Sequence, residues 1–524
     1  MPTEECIETD VLIIGCGIAG GVAALELAEA GLEIVVATRT KQPQESATLF
    51  AQGGIVYQGL EDSSELLIDD ILRAGAGRSL PKAVEILVRE GPSLVRSILI
   101  EKLRVPFDKA PNDELSLVRE GGHSLNRILH AADMTGRQIE THLIEALQTF
   151  PNVKILTGYT AVDLLTPAHH SRDQLAIYEP LSCAGAYLLD QQSGNVIRCL
   201  ARRTILATGG LGQIFLRTTN PEGARGDGLA MAYRAGARVI NTEYVQFHPT
   251  AFHKQGAPSF LISEAVRGAG ARLVHADCEP FMQKYDSTWG DLAARDIVAR
   301  SIYQEMLGLG ITNVYLDLAS KLDSDAIRAQ FPWIHIECLK YGVDITRDLI
   351  PVVPAAHYSC GGVWVDEWGR TTVRDLYAVG EVSCTGVHGA NRLASTSLLE
   401  GLVWGHRAAI HAQKEFASHA RSNADAIPGW EETGTEEPDP ALINQDMATI
   451  KNIMWNYVGL IRTGHRLQRA IRELRHLEIE IERFYRAVKL NDPLIGLRNA
   501  VRTALIVTIA AWENKKSVGC HYRT

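Results

Sequence analysis

The chain has 524 residues, of which 46% are hydrophobic and 22% charged, a composition typical of globular proteins with a large apolar core. With 52 basic and 62 acidic residues the formal net charge is -10, which argues against a nucleic-acid-binding surface. No apolar run reaches the roughly 18 residues of a membrane span, and residues 1–10 lack the basic and apolar regions of a secretory signal.

The nine cysteines are scattered along the chain, and none forms a Cys-x-x-Cys pair that would indicate zinc or iron–sulfur ligation. We therefore expect no metal site. Reduced, mostly buried thiols are typical of cytoplasmic proteins, so the prediction is a cytoplasmic location.

The chain opens with a pattern typical of a nucleotide-binding βαβ unit. The short apolar run Val11–Ile14 does not alternate, which indicates a strand buried on both faces of a parallel sheet. Residues 15–20 (GCGIAG) form a GxGxxG before a helix that Gly31 ends, and residues 34–37 form a second buried strand. In such a unit the three glycines allow a tight turn, close approach to a pyrophosphate and close packing of the helix on the strand.

The end of the second strand departs from the simplest dinucleotide pattern. Residues 38–41 read TRTK where an acidic residue is expected to hold a ribose, and this basic pair leaves open a 2′-phosphate and hence NADP. Two later strands, ending in Thr-Gly-Gly at 208–210 and Gly-Glu at 380–381, favour a flavin instead. Glu381 is the candidate for holding the ribityl chain, and the small residues at 46–54 suit packing against an isoalloxazine ring.

The remaining segments differ in character. Residues 65–101 have a helical pattern, and strands are predicted at 153–156, 187–189 and 204–208. Residues 241–350, with several predicted helices and a strand at 313–318, indicate an inserted domain. A polar stretch at 421–440 predicts a linker. Residues 441–513 have helical periodicity, with one apolar face formed by Leu467, Ile471, Leu474, Leu477 and Ile481.

Motifs along nearly the whole chain occur in the order of one known family. They are DVLIIGCGIAG, FAQGGI, REGGHS, ATGG, GDGLAMAYRAGA, QFHPTAF, SEAVRGAGARL, DLAARDIVAR, PAAHYSCGGVWVD, LYAVGEVSCTGVHGANRLASTSLLEGLVWG and ENKKSVGCHYR. On these motifs the sequence resembles the flavoprotein subunits of succinate dehydrogenase and fumarate reductase, and most of all the L-aspartate oxidases.

The resemblance implies an α/β plus α fold in three parts. A Rossmann-like FAD-binding domain would span 1–240 and 351–420, a capping domain 241–350, and a helical domain 441–524 after a linker at 421–440. The cofactor-binding residues expected from the motifs and the resemblance are Gly15, Cys16, Gly17, Ile18, Ala19, Gly20, Arg39, Ala47, Thr48, Ala51, Gln52, Gly53, Gly54, Ala161, Val162, Gly209, Asp227, Glu381, Ser397 and Leu398.

Two positions separate subgroups of the superfamily. Respiratory members link FAD to a histidine at the position of Ala47, so FAD is expected to bind this chain non-covalently. Glu120 stands where respiratory members have a neutral residue, and the resemblance implies that it faces the ammonium group of aspartate. A carboxylate distinguishes aspartate from succinate through a charge-assisted hydrogen bond. The alternative is that Glu120 pairs with Arg119 at the surface.

The resemblance also implies a dicarboxylate site. Its expected substrate-binding residues are Glu120, His248, Ser263, His357, Arg392 and Ser395, and its expected catalytic residues are Arg295, Glu120, His248 and Glu264. Arg392 can grip a carboxylate with two parallel N–H bonds. Ser263 replaces the family's threonine but keeps the hydroxyl, and Ala294 replaces a proline before Arg295.

Alternatives remain for two charged groups of this site. Glu264 is expected to hydrogen-bond His248 or to face the flavin. Arg295 is expected to act over the substrate, and the alternative is a salt bridge with Asp296 or Asp291.

The implied function is oxidation of L-aspartate to iminoaspartate, with O2 or fumarate as electron acceptor, in de novo NAD synthesis through quinolinate. Quinolinate synthase is a possible partner by the same resemblance. The alternative function is a soluble fumarate reductase or succinate oxidase, which differs at Glu120. A subunit of a membrane complex would be expected to carry covalent FAD, and a non-catalytic FAD-binding regulator would be expected to lack Arg295 or Arg392.

Overall fold

The structure is a computed structural model that describes residues 6–59, 62–416, 426–432 and 434–524. Up to residue 240 its helices and strands are β1 (Cys6–Ile14), α1 (Ile18–Glu29), β2 (Ile34–Thr38), β3 (Ile55–Val56), α2 (Ser64–Ala74), α3 (Pro81–Leu94), β4 (Leu117–Val118), β5 (Ile128–Leu129), α4 (Thr135–Leu147), β6 (Val153–Thr157), β7 (Tyr159–Leu164), α5 (Pro167–His170), β8 (Gly185–Asp190), β9 (Val196–Leu206), α6 (Asp227–Arg234) and β10 (Val239–Ile240). A π-helical segment, Val95–Lys102, continues α3, so the predicted helical stretch at 65–101 is confirmed.

The second half of the chain begins with a mixed segment and ends in long helices. Its elements are β11 (Val245–Phe252), α7 (Glu264–Gly268), β12 (Arg272–Val274), α8 (Arg295–Leu309), β13 (Val314–Asp317), α9 (Ser324–Gln330), α10 (Pro332–Lys340), β14 (Ile350–Ser359), β15 (Gly362–Trp364), β16 (Leu376–Ala378), β17 (Ser383–Cys384), α11 (Ser397–Lys414), α12 (Pro440–Val458), α13 (Gly464–Ala487) and α14 (Asp492–Glu513).

A central sheet organises the nucleotide-binding part. Strands β6, β2, β1 and β9 pair in that order and run parallel. The first half of β9 pairs antiparallel with β8, and the second half of β9 pairs parallel with β16. Strand β8 in turn pairs antiparallel with β7. Because β1, β2, β9 and β16 are parallel, the loops after them meet at one edge, where α/β sheets bind their ligands. The predicted βαβ opening and fold class are confirmed.

The inserted segment has a sheet and a core of its own. Strands β11, β14, β13 and β12 form an antiparallel sheet in that order. A second cluster of buried apolar residues runs from Phe252 to Val353. The predicted strand at 313–318 corresponds to β13, whereas β11 and β12 were missed. Strand β11 contains Pro249, which weakens a local strand pattern.

Strand β14 bears on the predicted domain division. It pairs with β11 and β13 from residue 350 to 359, so the predicted return to the FAD-binding domain at residue 351 falls inside the sheet of the inserted segment. The other boundaries stay predictions. Residues 417–425 and 433, which include part of the predicted linker at 421–440, lie outside the described residues.

The last three helices pack on one another and on the nucleotide-binding part. Of the predicted apolar face of α13, Leu467, Leu474 and Ile481 are buried, and Ile471 and Leu477 are half-buried. Helix α14 is long and apolar enough to cross a membrane, but 72% of its most apolar window is buried inside the protein. It is therefore a core helix, flanked by α12 and α13.

Candidate active site

A large cleft opens at the carboxyl edge of the central sheet. Its volume is about 1040 Å³, at the upper end of the roughly 300–1,000 Å³ typical of small-molecule sites. Its lining includes the loops after β1, β2, β9 and β16 and the start of α11. Residues 258–261 of the inserted segment line it as well, so both parts of the chain contribute walls.

The first glycine loop leaves no room for side chains next to the cleft. Gly15 has φ +104°, and a Cβ added there would lie 2.2 Å from the carbonyl oxygen of Ala207. A Cβ on Gly20 would lie 2.1 Å from the carbonyl oxygen of Gly15. The backbone can therefore approach a bound pyrophosphate closely, at the N-terminus of α1. The residues present fit a dinucleotide cofactor.

Most of the predicted cofactor-binding residues line this cleft. Those that do are Gly15, Cys16, Gly17, Ile18, Ala19, Arg39, Ala47, Thr48, Ala51, Gln52, Ala161, Gly209, Asp227, Glu381, Ser397 and Leu398. Four do not line it: Gly20, Gly53, Gly54 and Val162. For Gly20 and Gly54 the reason is packing, since each glycine lies against backbone, Gly54 against the carbonyl of Leu129. Thr48 also serves the fold, because its hydroxyl accepts a hydrogen bond from the N–H of Ile18 at 3.0 Å.

Arg39, which stands where an acidic residue was expected, is paired within the protein. Its Nη1 lies 3.3 Å from a carboxylate oxygen of Asp492, at the start of α14. Arg225 bridges Asp492 and the predicted cofactor residue Asp227, at 3.0 and 2.9 Å. Because Asp492 offsets the charge of Arg39, this basic residue is a weak argument for a 2′-phosphate. The C-terminal helices thus reach the cofactor cleft.

Glu381 lies in the cleft at the end of β16. It accepts a hydrogen bond from the backbone N–H of Ser359 at 2.9 Å, and a Cβ on Gly210 would lie 2.2 Å from its Oε1. Burial raises the pKa of Glu381 to about 7. A carboxyl so placed can hold hydroxyl groups of a ribityl chain, and that role stays a prediction.

Arg392 and His357 meet at the wall of the same cleft. Nη2 of Arg392 donates to Nε2 of His357 at 3.1 Å, and Nδ1 of His357 lies 2.9 Å from the hydroxyl of Thr219. Burial, with Arg392 alongside, places the pKa of His357 well below its usual value, so the ring is neutral. No carboxylate of the described residues lies within 4 Å of the Arg392 guanidinium, which leaves a buried cation ready for an anionic ligand.

His248 lies next to His357 on the paired strand, with ring centroids 5.2 Å apart. Its Nδ1 is 3.2 Å from the N–H and 3.3 Å from the carbonyl oxygen of Thr250. Burial and then Arg295 lower the pKa of His248 well below its usual value, so it too is neutral. Its Nε2 is buried and has no partner among the residues that the structure describes. A buried orphan nitrogen fits a ligand carboxylate.

Arg295 begins α8 and is paired with Glu264, the first residue of α7. Its Nε donates to Oε2 of Glu264 at 2.6 Å, and its Nη1 lies 3.4 Å from Oε1 of Gln246. Among the described residues Arg295 makes no salt bridge with Asp296 or Asp291, the alternative raised for it, and Glu264 makes no hydrogen bond with His248. That Glu264 faces the flavin stays a prediction. The first residues of α7 and α8 lie next to each other, so Glu264 and Arg295 are in contact although they are 31 residues apart in the sequence.

The pairing fixes the charge of Glu264. Burial favours its neutral form, but Arg295 and Arg267 outweigh burial and lower the pKa below its usual value, so the carboxylate is ionised. Ser263 does not line the cleft; its hydroxyl accepts from the N–H of Ala265 at 3.3 Å and caps α7.

Glu120 points inward rather than pairing with Arg119. Its Oε2 accepts a hydrogen bond from Ser395 Oγ at 2.5 Å, and a Cβ on Gly53 would lie 2.9 Å from its Oε1. Burial raises the pKa of Glu120. Ser395 has φ +57°, a conformation that side chains rarely adopt and that concentrates at functional sites. Glu120 therefore lies beside the loop that carries Arg392.

The loop of Glu120 is held by residues that the sequence analysis missed. Asp70 of α2 accepts hydrogen bonds from the N–H and the hydroxyl of Ser124, at 2.8 and 2.6 Å, and from Arg127 at 2.9 Å. Nε2 of His123 lies 2.9 Å from the carbonyl oxygen of Ala394. Asp70 belongs to none of the family motifs, so no sequence signal marked it, whereas His123 stood in one.

Comparison with known proteins agrees with this geometry. A family profile described as "FAD binding domain" matches residues 10–398, and one described as "Fumarate reductase flavoprotein C-term" matches residues 447–524. The sequence is 42% identical over 517 residues to L-aspartate oxidase 1 of Ralstonia nicotianae, covering 98% of this chain and 94% of that protein. It is 41% identical to L-aspartate oxidase of Yersinia pestis, covering 98% and 95%.

The chain belongs to the L-aspartate oxidase family. The family includes the chloroplastic L-aspartate oxidase of Arabidopsis thaliana, to which the chain is 41% identical over 98% of its own length and 81% of the relative's. Among solved structures, an E. coli quinol fumarate reductase matches with a TM-score of 0.88 at 26% identity, covering 99% of this chain and 92% of that one. Mycobacterium smegmatis Sdh1 matches with 0.81 at 29%, covering 99% and 89%.

For this member of the L-aspartate oxidase family the cofactor is FAD, bound without a covalent link. Ala47 lines the cleft and has no atom that could bond to the flavin. We expect acid precipitation of the purified protein to leave the yellow colour in the supernatant, because FAD dissociates when the fold is lost. Absorbance spectra of pellet and supernatant check this, and flavin that stays with the washed pellet would contradict it.

Proposed function

We propose that this protein oxidises L-aspartate to iminoaspartate, with O2, which yields H2O2, or fumarate as electron acceptor. The observation that carries the proposal is an inward carboxylate, Glu120, near an uncompensated buried cation, Arg392. The hydroxyl of Ser395 links Glu120 to the loop that carries Arg392. Such a site suits a small diacid that also bears a positive charge.

The two carboxylates of the substrate have separate candidate partners. Arg392 can hold one through two parallel N–H bonds, with neutral His357 beside it. Nε2 of His248 can donate to the other, and Arg295, fixed by Glu264, adds positive charge from α8. These groups orient the diacid and exclude water from its reacting carbon.

Glu120 supplies the selectivity. In its ionised form this carboxylate attracts the ammonium group of aspartate and repels a diacid that lacks this group. FAD, when bound, accepts the hydride that leaves the substrate's Cα. The protein's own residues bind and orient the diacid. Among them Arg295 and Glu264, both of the inserted segment, form a charged pair.

We further infer a cytoplasmic enzyme of de novo NAD synthesis that passes iminoaspartate to quinolinate synthase. The family membership supports this place in metabolism. An enzyme that acts mainly on fumarate or succinate is the competing function, since its relatives share the fold. Glu120 favours the amino acid substrate, because succinate offers no cation for that carboxylate.

The proposal is tested with the unaltered protein in air. L-Aspartate should consume O2 and produce H2O2 in equal amounts, and the imine should hydrolyse in the absence of a consuming enzyme to oxaloacetate and ammonia. D-Aspartate serves as the control of matched charge. The proposal fails if L-aspartate yields no peroxide while the protein holds its full complement of FAD.

The acid limb of the pH profile should belong to Glu120. Burial raises the pKa of this carboxyl, so lowering the pH through that value protonates it and removes the charge that attracts the substrate ammonium. We expect kcat/KM for aspartate to fall as the pH falls through this pKa, and Glu120→Gln to lack this limb. His248 and His357 stay neutral here because burial lowers both pKa values. Profiles of both proteins from roughly pH 5 to 9 check this; identical acid limbs would contradict it.

A further inference from the structure

The guanidinium of Arg392 rests on an aromatic ring. Its Cζ lies 4.5 Å from the centroid of Tyr358, the residue after His357 on β14, and Tyr358 lines the cleft. The other contacts of Arg392 are neutral: Nη2 meets His357, and Nη1 lies 3.2 Å from the hydroxyl of Ser397. The electron-rich face of Tyr358 thus adds an attraction for the guanidinium to these neutral hydrogen bonds.

The hydroxyl of Tyr358 contacts a buried carboxylate, that of Glu400. It donates to Oε2 of Glu400 at 2.7 Å, and Nε2 of His388 lies 3.0 Å from the same oxygen. The hydroxyl of Thr385 donates to Oε1 at 2.5 Å. Glu400 is 1% exposed and lies in the first turn of α11, well inside the protein.

Glu400 is ionised in this setting. Burial alone would raise its pKa, but His388 and the donated hydrogen bonds outweigh burial and hold the pKa below its usual value. Burial, and then Glu400, raises the pKa of Tyr358 well above its usual value, so the phenol keeps its proton and donates it. Three groups are therefore in contact in sequence: the Glu400 carboxylate, the Tyr358 phenol and the Arg392 guanidinium.

A phenol that donates to a carboxylate gains electron density in its ring, and a more negative ring face attracts a cation more strongly. We propose that Glu400 and Tyr358 are positioning residues that hold Arg392 in place for the substrate carboxylate. The inference rests on the proposed function, since it assigns Arg392 to the diacid. Glu400 does not line the cleft, and in this proposal Tyr358 acts through Arg392, so their effect should appear in binding of the diacid.

Three variants test these contacts separately. Tyr358→Phe keeps the ring and removes the hydroxyl, Glu400→Gln keeps the size and removes the charge, and Tyr358→Leu removes the ring. We expect the KM for aspartate to rise about fivefold for the first two and about 20-fold for the third, with kcat within about threefold. Tyr377→Phe, which removes a buried hydroxyl 3.0 Å from His411 and outside the cleft, is the control and should change neither constant.

A second measurement makes the test independent of turnover. Titration of the FAD-loaded proteins with succinate, followed by the change in flavin absorbance, gives the Kd of a diacid without oxidation of aspartate. The Kd should rise in the order unaltered protein, Tyr358→Phe, Tyr358→Leu. FAD content and Tm of each variant identify those that fold. If folded Tyr358→Leu and Tyr358→Phe bind succinate and aspartate like the unaltered protein, the inference is wrong; if the unaltered protein fails to oxidise aspartate, the proposed function is wrong, and the titration still decides the role of Tyr358.

Discussion

Replacing Arg392 with methionine is expected to raise the KM for L-aspartate about 10²- to 10³-fold. A hydrogen bond to a charged group is worth roughly 1.5–3 kcal/mol, and a guanidinium can make two to one carboxylate. Methionine fills similar space, so the loss reflects the charge and the donors. Steady-state kinetics and a succinate titration of the FAD-loaded protein measure the effect.

Arg407→Met is the matched control for this variant. Arg407 also stacks on an aromatic ring, with Cζ 4.2 Å from the centroid of Trp368, but it does not line the cleft. Its replacement should leave the KM for aspartate within about twofold of the original, as is usual away from the site. An Arg392→Met protein that retains FAD and binds both diacids normally would remove Arg392 from the site.

Glu120→Gln is expected to reverse the preference for the amino acid. The amide cannot offer an anion to the ammonium group, so kcat/KM for aspartate should fall about 10- to 100-fold, in line with the loss of one charge-assisted hydrogen bond. Succinate should bind more tightly, because the repulsion by the carboxylate is gone. Ser395 can still donate to the amide oxygen, so the loop should stay in place. Kinetics with aspartate and the Kd of succinate give both changes.

Glu114→Gln provides the comparison for that substitution. Glu114 lies near Glu120 in sequence, is exposed and accepts a hydrogen bond from Asn112 at 2.9 Å. This variant changes the net charge of the protein by the same amount, and it should alter neither kcat/KM for aspartate nor the Kd of succinate. If Glu120→Gln gives the same two values as Glu114→Gln, Glu120 does not distinguish the amino acid from the diacid.

Local patterns predicted much of the fold. The buried run at 11–14, the glycines at 15–20 and the second strand predict a βαβ unit because each depends on neighbours in sequence. Strand β11 was missed because it contains Pro249, which weakens a local strand pattern; the proline is tolerated because β11 lies at the edge of its sheet. The extent of the inserted sheet through β14 depends on pairing between distant strands, which no local pattern reports.

The motifs named candidate residues of the site but not the contacts between them. The structure pairs Arg295 with Glu264 and Arg392 with His357, and of these two pairs the second lines the cleft. That these residues bind the substrate stays a prediction. The ion pair of Arg295 with Glu264 depends on how two helix starts meet. The pairing of Arg39 with Asp492 spans 453 positions, so only the packing of α14 on the nucleotide-binding part could create it. Glu400 stood in a motif, but its ionised state follows from three neighbours, His388, Thr385 and Tyr358, which outweigh the effect of burial.

The bound flavin should take electrons from L-aspartate in preference to succinate, the matching diacid. Anaerobic mixing of the FAD-loaded, unaltered protein with equal concentrations of either compound, followed by flavin absorbance, tests this preference in a single turnover. We expect L-aspartate to bleach the flavin at least about tenfold faster, because only its ammonium group can pair with Glu120. Bleaching by succinate at an equal or higher rate would show that Glu120 does not select the amino acid.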